Sequence, residues 1–112
     1  RFASMDFFKR IWYNGIAEVI TLPTISMFYG IIVYMYAEAN GKHYLPHLHA
    51  EYQGKEIEVS LDGEVLGGDT KSFPPKKLRM LLTWMDIHEE DLRANWDLLS
   101  KNMPAFKIDP LK

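Results

Sequence analysis

The chain contains no cysteine. Disulfides, thiolate metal sites and thiol nucleophiles are thereby excluded, and stability has to come from packing, which suits a reducing cytoplasm. It also lacks an excess of positive charge: 13 Lys and Arg stand against 15 Asp and Glu, a formal net charge of −2. Proteins that grip phosphate backbones usually carry a clearly basic surface, so the simplest ground for nucleic-acid binding is missing and only a local basic patch is left open. Long apolar runs are absent as well. The longest, residues 27–36, is too short to cross a bilayer and is interrupted by Gly30, and no charged, apolar and cleavage-site series opens the chain. Neither a membrane span nor an export signal is expected.

What is present is the composition of a folded domain. Nearly half of the 112 residues are apolar and a quarter are charged, which argues against disorder, and the length suits one hydrophobic core rather than two. Arg1-Phe2-Ala3-Ser4 ahead of Met5 reads as a tag remnant. Residues 1–22 are expected to be an N-terminal extension and residues 23–112 a single α+β domain.

Apolar residues at 5, 8 and 12 and at 7 and 11 predict an N-terminal helix over residues 5–13, ending at Asn14-Gly15. Residues 16–22 read as a further strand or an extended arm. The β-branched and aromatic density of residues 24–36 predicts one long central strand, with Gly30 as a bulge. Residues 38–45 form a loop carrying His43. Strands at 47–53 and 56–61 follow, with Gly54-Lys55 as the turn, so that Tyr52 faces Ile57, Ala50 faces Val59 and Leu48 faces Leu61. Residues 64–66 make a short edge strand. Pro74-Pro75 opens a helix, and the apolar stripe at 78, 81, 82, 85, 92, 96 and 99, which includes His88, predicts one long helix or two abutting ones to about residue 101. The tail from residue 103 is extended. The fold expected is an N-terminal helix, a three- to four-stranded antiparallel sheet and a C-terminal helical segment packed on one face.

The candidate site is the segment Pro46-His47-Leu48-His49-Ala50-Glu51. Residues two apart on a strand share a face, so His47, His49 and Glu51 point one way while Leu48, Ala50 and Tyr52 point the other. The predicted register sets His49 across from Ser60, Glu51 from Glu58, and His47 near Asp62. Three chemistries fit. His47, His49 and Glu51 could bind a divalent metal, with Glu58, Asp62 or His43 completing the set. His47 and His49 could instead be the acid and base of a metal-free RNA-cleaving enzyme, with Lys71, Lys76, Lys77 or Arg79 meeting the phosphate, although Glu51, Glu56 and Glu58 would repel such a substrate. Or the histidines hold neighbouring backbone by ordinary hydrogen bonds. His88 reads as a satisfied core histidine or, with Asn95 seven residues on along the same helical face, as half of a buried polar pair.

Pro23-Thr24-Ile25-Ser26-Met27-Phe28-Tyr29-Gly30-Ile31, Pro46-His47-Leu48-His49-Ala50-Glu51-Tyr52 and Asp62-Gly63-Glu64-Val65-Leu66-Gly67-Gly68 occur in that order, followed by Pro74-Pro75, Trp84, His88, Asn95-Trp96 and Lys107-Ile108-Asp109-Pro110-Leu111. Over residues 23–111 this series resembles the bacterial family catalogued as domain of unknown function 4160. The chain departs from the family pattern at Leu22, where members usually begin with Met before Pro-Thr-Ile, and at Leu45, which replaces the first of two prolines. Family genes often stand beside a second small gene. The resemblance therefore implies a cytoplasmic protein-interaction component of a two-gene, toxin–antitoxin-like module, with a small protein partner encoded nearby; self-association is left open.

Overall fold

The structure, a computed structural model, describes residues 7–13, 15–36 and 45–112, with the backbone alone described in the strands before residue 23. His43 and residues 1–4 lie outside the described residues. Strands β1 (Phe7–Tyr13) and β2 (Ile16–Leu22) form a two-stranded antiparallel sheet in which Tyr13 pairs with Ile16 and Phe7 with Leu22. The N-terminal helix expected from periodicity is therefore corrected to a hairpin. The seven residues of β1 include Phe7, Phe8, Ile11, Trp12 and Tyr13, all types favoured on a pleated sheet. Asn14-Gly15, taken as a helix stop, is equally the strongest two-residue hairpin signal, and Gly15 holds the φ of +77° that such a turn demands.

The main sheet is a five-stranded antiparallel meander: β3 (Thr24–Phe28), β4 (Ile31–Tyr34), β5 (His47–Tyr52), β6 (Lys55–Ser60) and β7 (Val65–Gly68), each paired with the next. It has more than the expected three or four strands because the single long strand over residues 24–36 is itself a hairpin. Tyr29 and Gly30 take φ of +49° and +84°, and Phe28 pairs directly with Ile31, the geometry of a tight primed turn. An apolar run that reverses on itself has the same composition as one that continues.

The β5–β6 register is two residues from the expected one. The turn is Gln53-Gly54 rather than Gly54-Lys55, so Tyr52 pairs with Lys55, Ala50 with Ile57 and Leu48 with Val59. A shift of two preserves which face each side chain occupies. Leu48, Ala50, Ile57, Val59 and Leu61 are accordingly all buried in the core, with Ile31 and Val33 from β4.

Two helices complete that core. Helix α1 (Pro75–Ile87) starts with proline in its first turn, where the missing N–H has no helical partner to lose. Helix α2 (Glu89–Ser100) carries Glu89, Glu90 and Asp91 in its first turn, matching its positive end. His88 is the joint between them; its N–H donates to the Trp84 carbonyl at 3.0 Å and its carbonyl accepts from the Leu92 N–H at 3.0 Å. Leu81, Trp84, Met85, Leu92 and Leu99 are buried in the core, with the Trp84 ring 5.1 Å from that of Phe28. Among the described residues no helix is long and apolar enough to cross a membrane.

Beyond α2 the chain returns as an extended strap. The Asn95 side chain, fully buried, both donates to the Phe106 carbonyl at 2.9 Å and accepts from the Phe106 N–H at 2.8 Å. The Trp84 indole N–H donates to the Asp109 carbonyl at 2.7 Å, the Lys107 ammonium donates to the Thr24 carbonyl, and the Ile108 N–H donates to the Ile25 carbonyl at 2.8 Å. The strap thus ties both helices to β3.

Candidate functional site

The second face of the meander is built around His49. Strand pairing places Tyr34 on one side of it and Glu58 on the other, so a phenol, an imidazole and a carboxylate cross three strands in one row. His47 lies one step along β5, opposite Ser60, and Glu56 one step along β6, opposite Glu51. His47, His49 and Tyr34 are buried at 6%, 3% and 0% exposure. The carboxylates are more open, with side-chain exposures of 27% for Glu56 and 43% for Glu58. A cleft of about 360 Å³ between Glu56, Ile57, Glu58, Gly68 and Asp69 reaches them from the β7 side.

Each imidazole is held in place. His47 Nδ1 lies 2.9 Å from the Leu45 carbonyl, a contact that the proline-fixed approach through Pro46 sets up, and its ring rests against Trp96 at 5.2 Å. The two histidine rings meet edge to face at 5.2 Å. His49 stacks almost parallel with Tyr34 at 5.2 Å and Tyr36 at 4.9 Å. Its Nδ1 sits 3.3 Å from a Glu56 carboxylate oxygen and 3.9 Å from one of Glu58. His47, His49 and Glu58 each offer a ligand atom, and these atoms lie within 4.8 Å of one another.

The Tyr34 phenol is driven well above its usual range, first by burial and then by the Glu56 carboxylate and other nearby negative charge. It stays protonated through any physiological pH.

The other sequence candidates have separate positions. Glu51 accepts from the Gly54 N–H at 2.7 Å and so closes the β5–β6 turn. Its cross-strand neighbour is Glu56 rather than Glu58. Asp62 pairs with Arg93 at 2.7 Å at the rim of the apolar face. His88 packs on Trp84 at 5.5 Å, and Asn95 holds Phe106 instead of His88. Ser60 Oγ accepts from the Asp62 and Glu64 N–H groups and shapes the turn before β7. Lys77, one of the cations expected to meet a phosphate, donates to the Tyr29 carbonyl at 3.0 Å and covers the Tyr52 ring.

Tyr34, Tyr36 and Glu56 are parts of the site that sequence reasoning passed over or took only as repelling charge. The signal was present: between residues 31 and 36 the odd positions are Ile31, Val33 and Met35, whereas the even ones end in Tyr34 and Tyr36. Alternation of that kind marks a second, polar-tipped face.

No curated protein and no solved structure matches the chain. A family model does, over residues 30–97, which is more than half the chain and includes every residue of the His49 cluster from Tyr34 to Trp96. By that match the chain belongs to the family described as a domain of unknown function (DUF4160).

Proposed function

We propose that this domain binds a divalent transition-metal ion on His47, His49 and Glu58, with zinc as the best fit. The observation that carries the reading is the convergence of two buried imidazoles and a carboxylate, with ligand atoms within 4.8 Å, on adjacent strands. Donors bonded tetrahedrally to zinc at roughly 2.0–2.1 Å stand about 3.3 Å apart, so closing the set needs a movement on the order of 1 Å. Glu58, the most exposed of the three, can make it by changing rotamer. Nitrogen and oxygen donors without thiolate suit zinc and its first-row neighbours better than the all-oxygen ions. Three protein ligands leave a position for water or for a group from another molecule.

The charge around the histidines favours a cation over RNA. Glu56 and Glu58 flank His49, and Lys77 is engaged at the Tyr29 turn. A substrate phosphate would meet carboxylates where an acid–base ribonuclease needs cations. The test is metal analysis of protein purified without chelator, followed by zinc titration of the stripped protein. One equivalent bound per chain, abolished in His49→Ala and in Glu58→Ala, is the expected result; zinc binding that both variants retain would sink the assignment.

A second reading, the protein-binding half of a two-gene module, comes from the family resemblance, and one surface favours it. At the α1–α2 joint Ile87 is 62% exposed and is ringed by Asp86, Glu89, Glu90 and Asp91. An apolar knob in an acidic rim suits a basic partner with an apolar socket. Co-purification with the neighbouring gene product should fail for Ile87→Asp if that surface is the contact.

A further inference from the structure

We infer that Glu56 is a positioning residue for the His47–His49–Glu58 site: it holds the Nδ1–H of His49, leaving Nε2 as the atom offered to the cation, and Tyr34 holds Glu56 in turn. The inference rests on the metal reading, and assigns a role to a carboxylate that is not among the proposed ligands. Its first support is distance, since Glu56 is nearer to His49 Nδ1 than Glu58 is, 3.3 Å against 3.9 Å. A histidine that binds a metal through one nitrogen commonly donates its other N–H to a carboxylate or a backbone carbonyl, which fixes both tautomer and ring direction. His47 has the carbonyl version of that arrangement, with Nδ1 2.9 Å from the Leu45 oxygen. For His49 the corresponding group is the Glu56 carboxylate, within ion-pair distance of Nδ1. Both rings then present the same nitrogen.

The second support is how firmly Glu56 is anchored for a residue near a hairpin end. Its N–H donates to the Asp69 carboxylate at 2.9 Å, and its carbonyl accepts from the Asp69 N–H at 2.7 Å. Gly68, at φ +96°, lets β7 come in so close that a Cβ there would lie 2.3 Å from the Glu56 carbonyl oxygen and 2.8 Å from Ile57 Cα. Any side chain at position 68 would push β7 away from this point. The third support is Tyr34, fully buried, with Glu56 as the charged group that acts most strongly on its phenol. With Tyr34 and Tyr36 also stacked on the imidazole, the plane of His49 is set before any cation arrives.

The experiment is long-range proton–nitrogen NMR of the imidazoles in metal-free protein, paired with zinc titration. In the parent, His49 should carry its proton on Nδ1. Glu56→Ala should mix the tautomers and weaken zinc binding about 10- to 100-fold, the usual loss for an outer partner of a ligating histidine. Glu56→Gln, which keeps an acceptor oxygen and the side chain's size, should restore the tautomer, and it carries the test if the alanine variant does not fold. A parent His49 protonated on Nε2 overturns the inference whatever zinc does. So does a folded Glu56→Ala variant with unchanged tautomer and affinity. Should the parent show the Nδ1–H form, lost in Glu56→Ala, yet bind no zinc, the metal reading fails while Glu56's hold on His49 is borne out.

Discussion

The two faces of the β4–β5–β6 ribbon are both buried, by different means. On one, Val33, Leu48, Ala50, Ile57 and Val59 meet the helices, and burial needs only matching shape; each large aliphatic side chain contributes roughly 1.5–3 kcal/mol. On the other, Tyr34, His47 and His49 are nearly as deep, yet each brings polar atoms whose desolvation must be offset by a partner. The first face would tolerate many sequences of similar volume. The second works only as a set: the Leu45 carbonyl for His47, Glu56 and Glu58 beside His49, and Glu56 again for Tyr34. A protein that needed only stability would fill such a face with aliphatic residues, so the polar set points to a task.

The sharpest way to break this contrast is to put a charge on the wrong face. Val59→Asp buries an unpaired carboxylate at a fully buried position and should cost more than about 4 kcal/mol, enough to unfold a marginal domain; urea denaturation or soluble yield reads it out. Equal stability of variant and parent would remove the apolar face as described. Next in size is Asn95→Ala, which leaves the Phe106 N–H and carbonyl without their partner and should cost about 3 kcal/mol, with faster hydrogen exchange at the Ile108 amide.

The polar face should respond to ligand rather than to volume. Zinc at about 100 times its Kd should stabilise the parent by about 2.7 kcal/mol and leave the double variant His47→Ala/His49→Ala unmoved, while the metal-free variant stays folded on its intact aliphatic core. Thermal melts with and without zinc distinguish these outcomes, the aliphatic core of Leu48, Ala50, Ile57 and Val59 being untouched although His47 gives up its contact with Trp96 of α2, and a metal-free double variant that cannot fold would return the histidines to a structural role. The smallest effect is a slope. Above about pH 10 the unfolded chain releases the Tyr34 proton and the folded chain keeps it, so the stability tied to the neutral phenol is complete below that pH and falls above it. The parent should lose about 1.4 kcal/mol per pH unit more than Tyr34→Phe beyond pH 10. Urea melts of the two at pH 9 and pH 11 would contradict this by running parallel.

Much of the contrast was legible in the sequence, because face assignment depends on parity alone. The expected β5–β6 register missed by two residues and still sorted Leu48, Ala50, Ile57 and Val59 from His47, His49, Glu56 and Glu58. What parity cannot do is choose between turns. Gln53-Gly54 and Gly54-Lys55 are both plausible pairs, and only the strand lengths on either side decide. Direction was equally hidden: Tyr29-Gly30 reads as a bulge or as a reversal, and Asn14-Gly15 as a helix stop or a hairpin, until the pairing partner is known. Glu58 was foreseen as one of several groups completing a His47, His49 and Glu51 set, but Glu51 itself is taken up by the Gly54 N–H and stands outside the cluster. Tyr34 was not placed beside His49 because its strand follows from that unseen reversal, and Glu56 was not because the expected β5–β6 register carried it two residues away.

The strap has a consequence for synthesis. Lys107 reaches Thr24 across 83 residues of sequence, and the Ile108 N–H takes the Ile25 carbonyl beside it. The meander can pair strand by strand as it emerges, since each neighbour is local, and such contacts close early. The flank of β3 where the strap lies waits for a segment that the ribosome reaches only after both helices. During that interval a nascent chain exposes unsatisfied backbone of the kind that pairs with other chains, so crowded polysomes are where this domain is most exposed to strand-mediated aggregation.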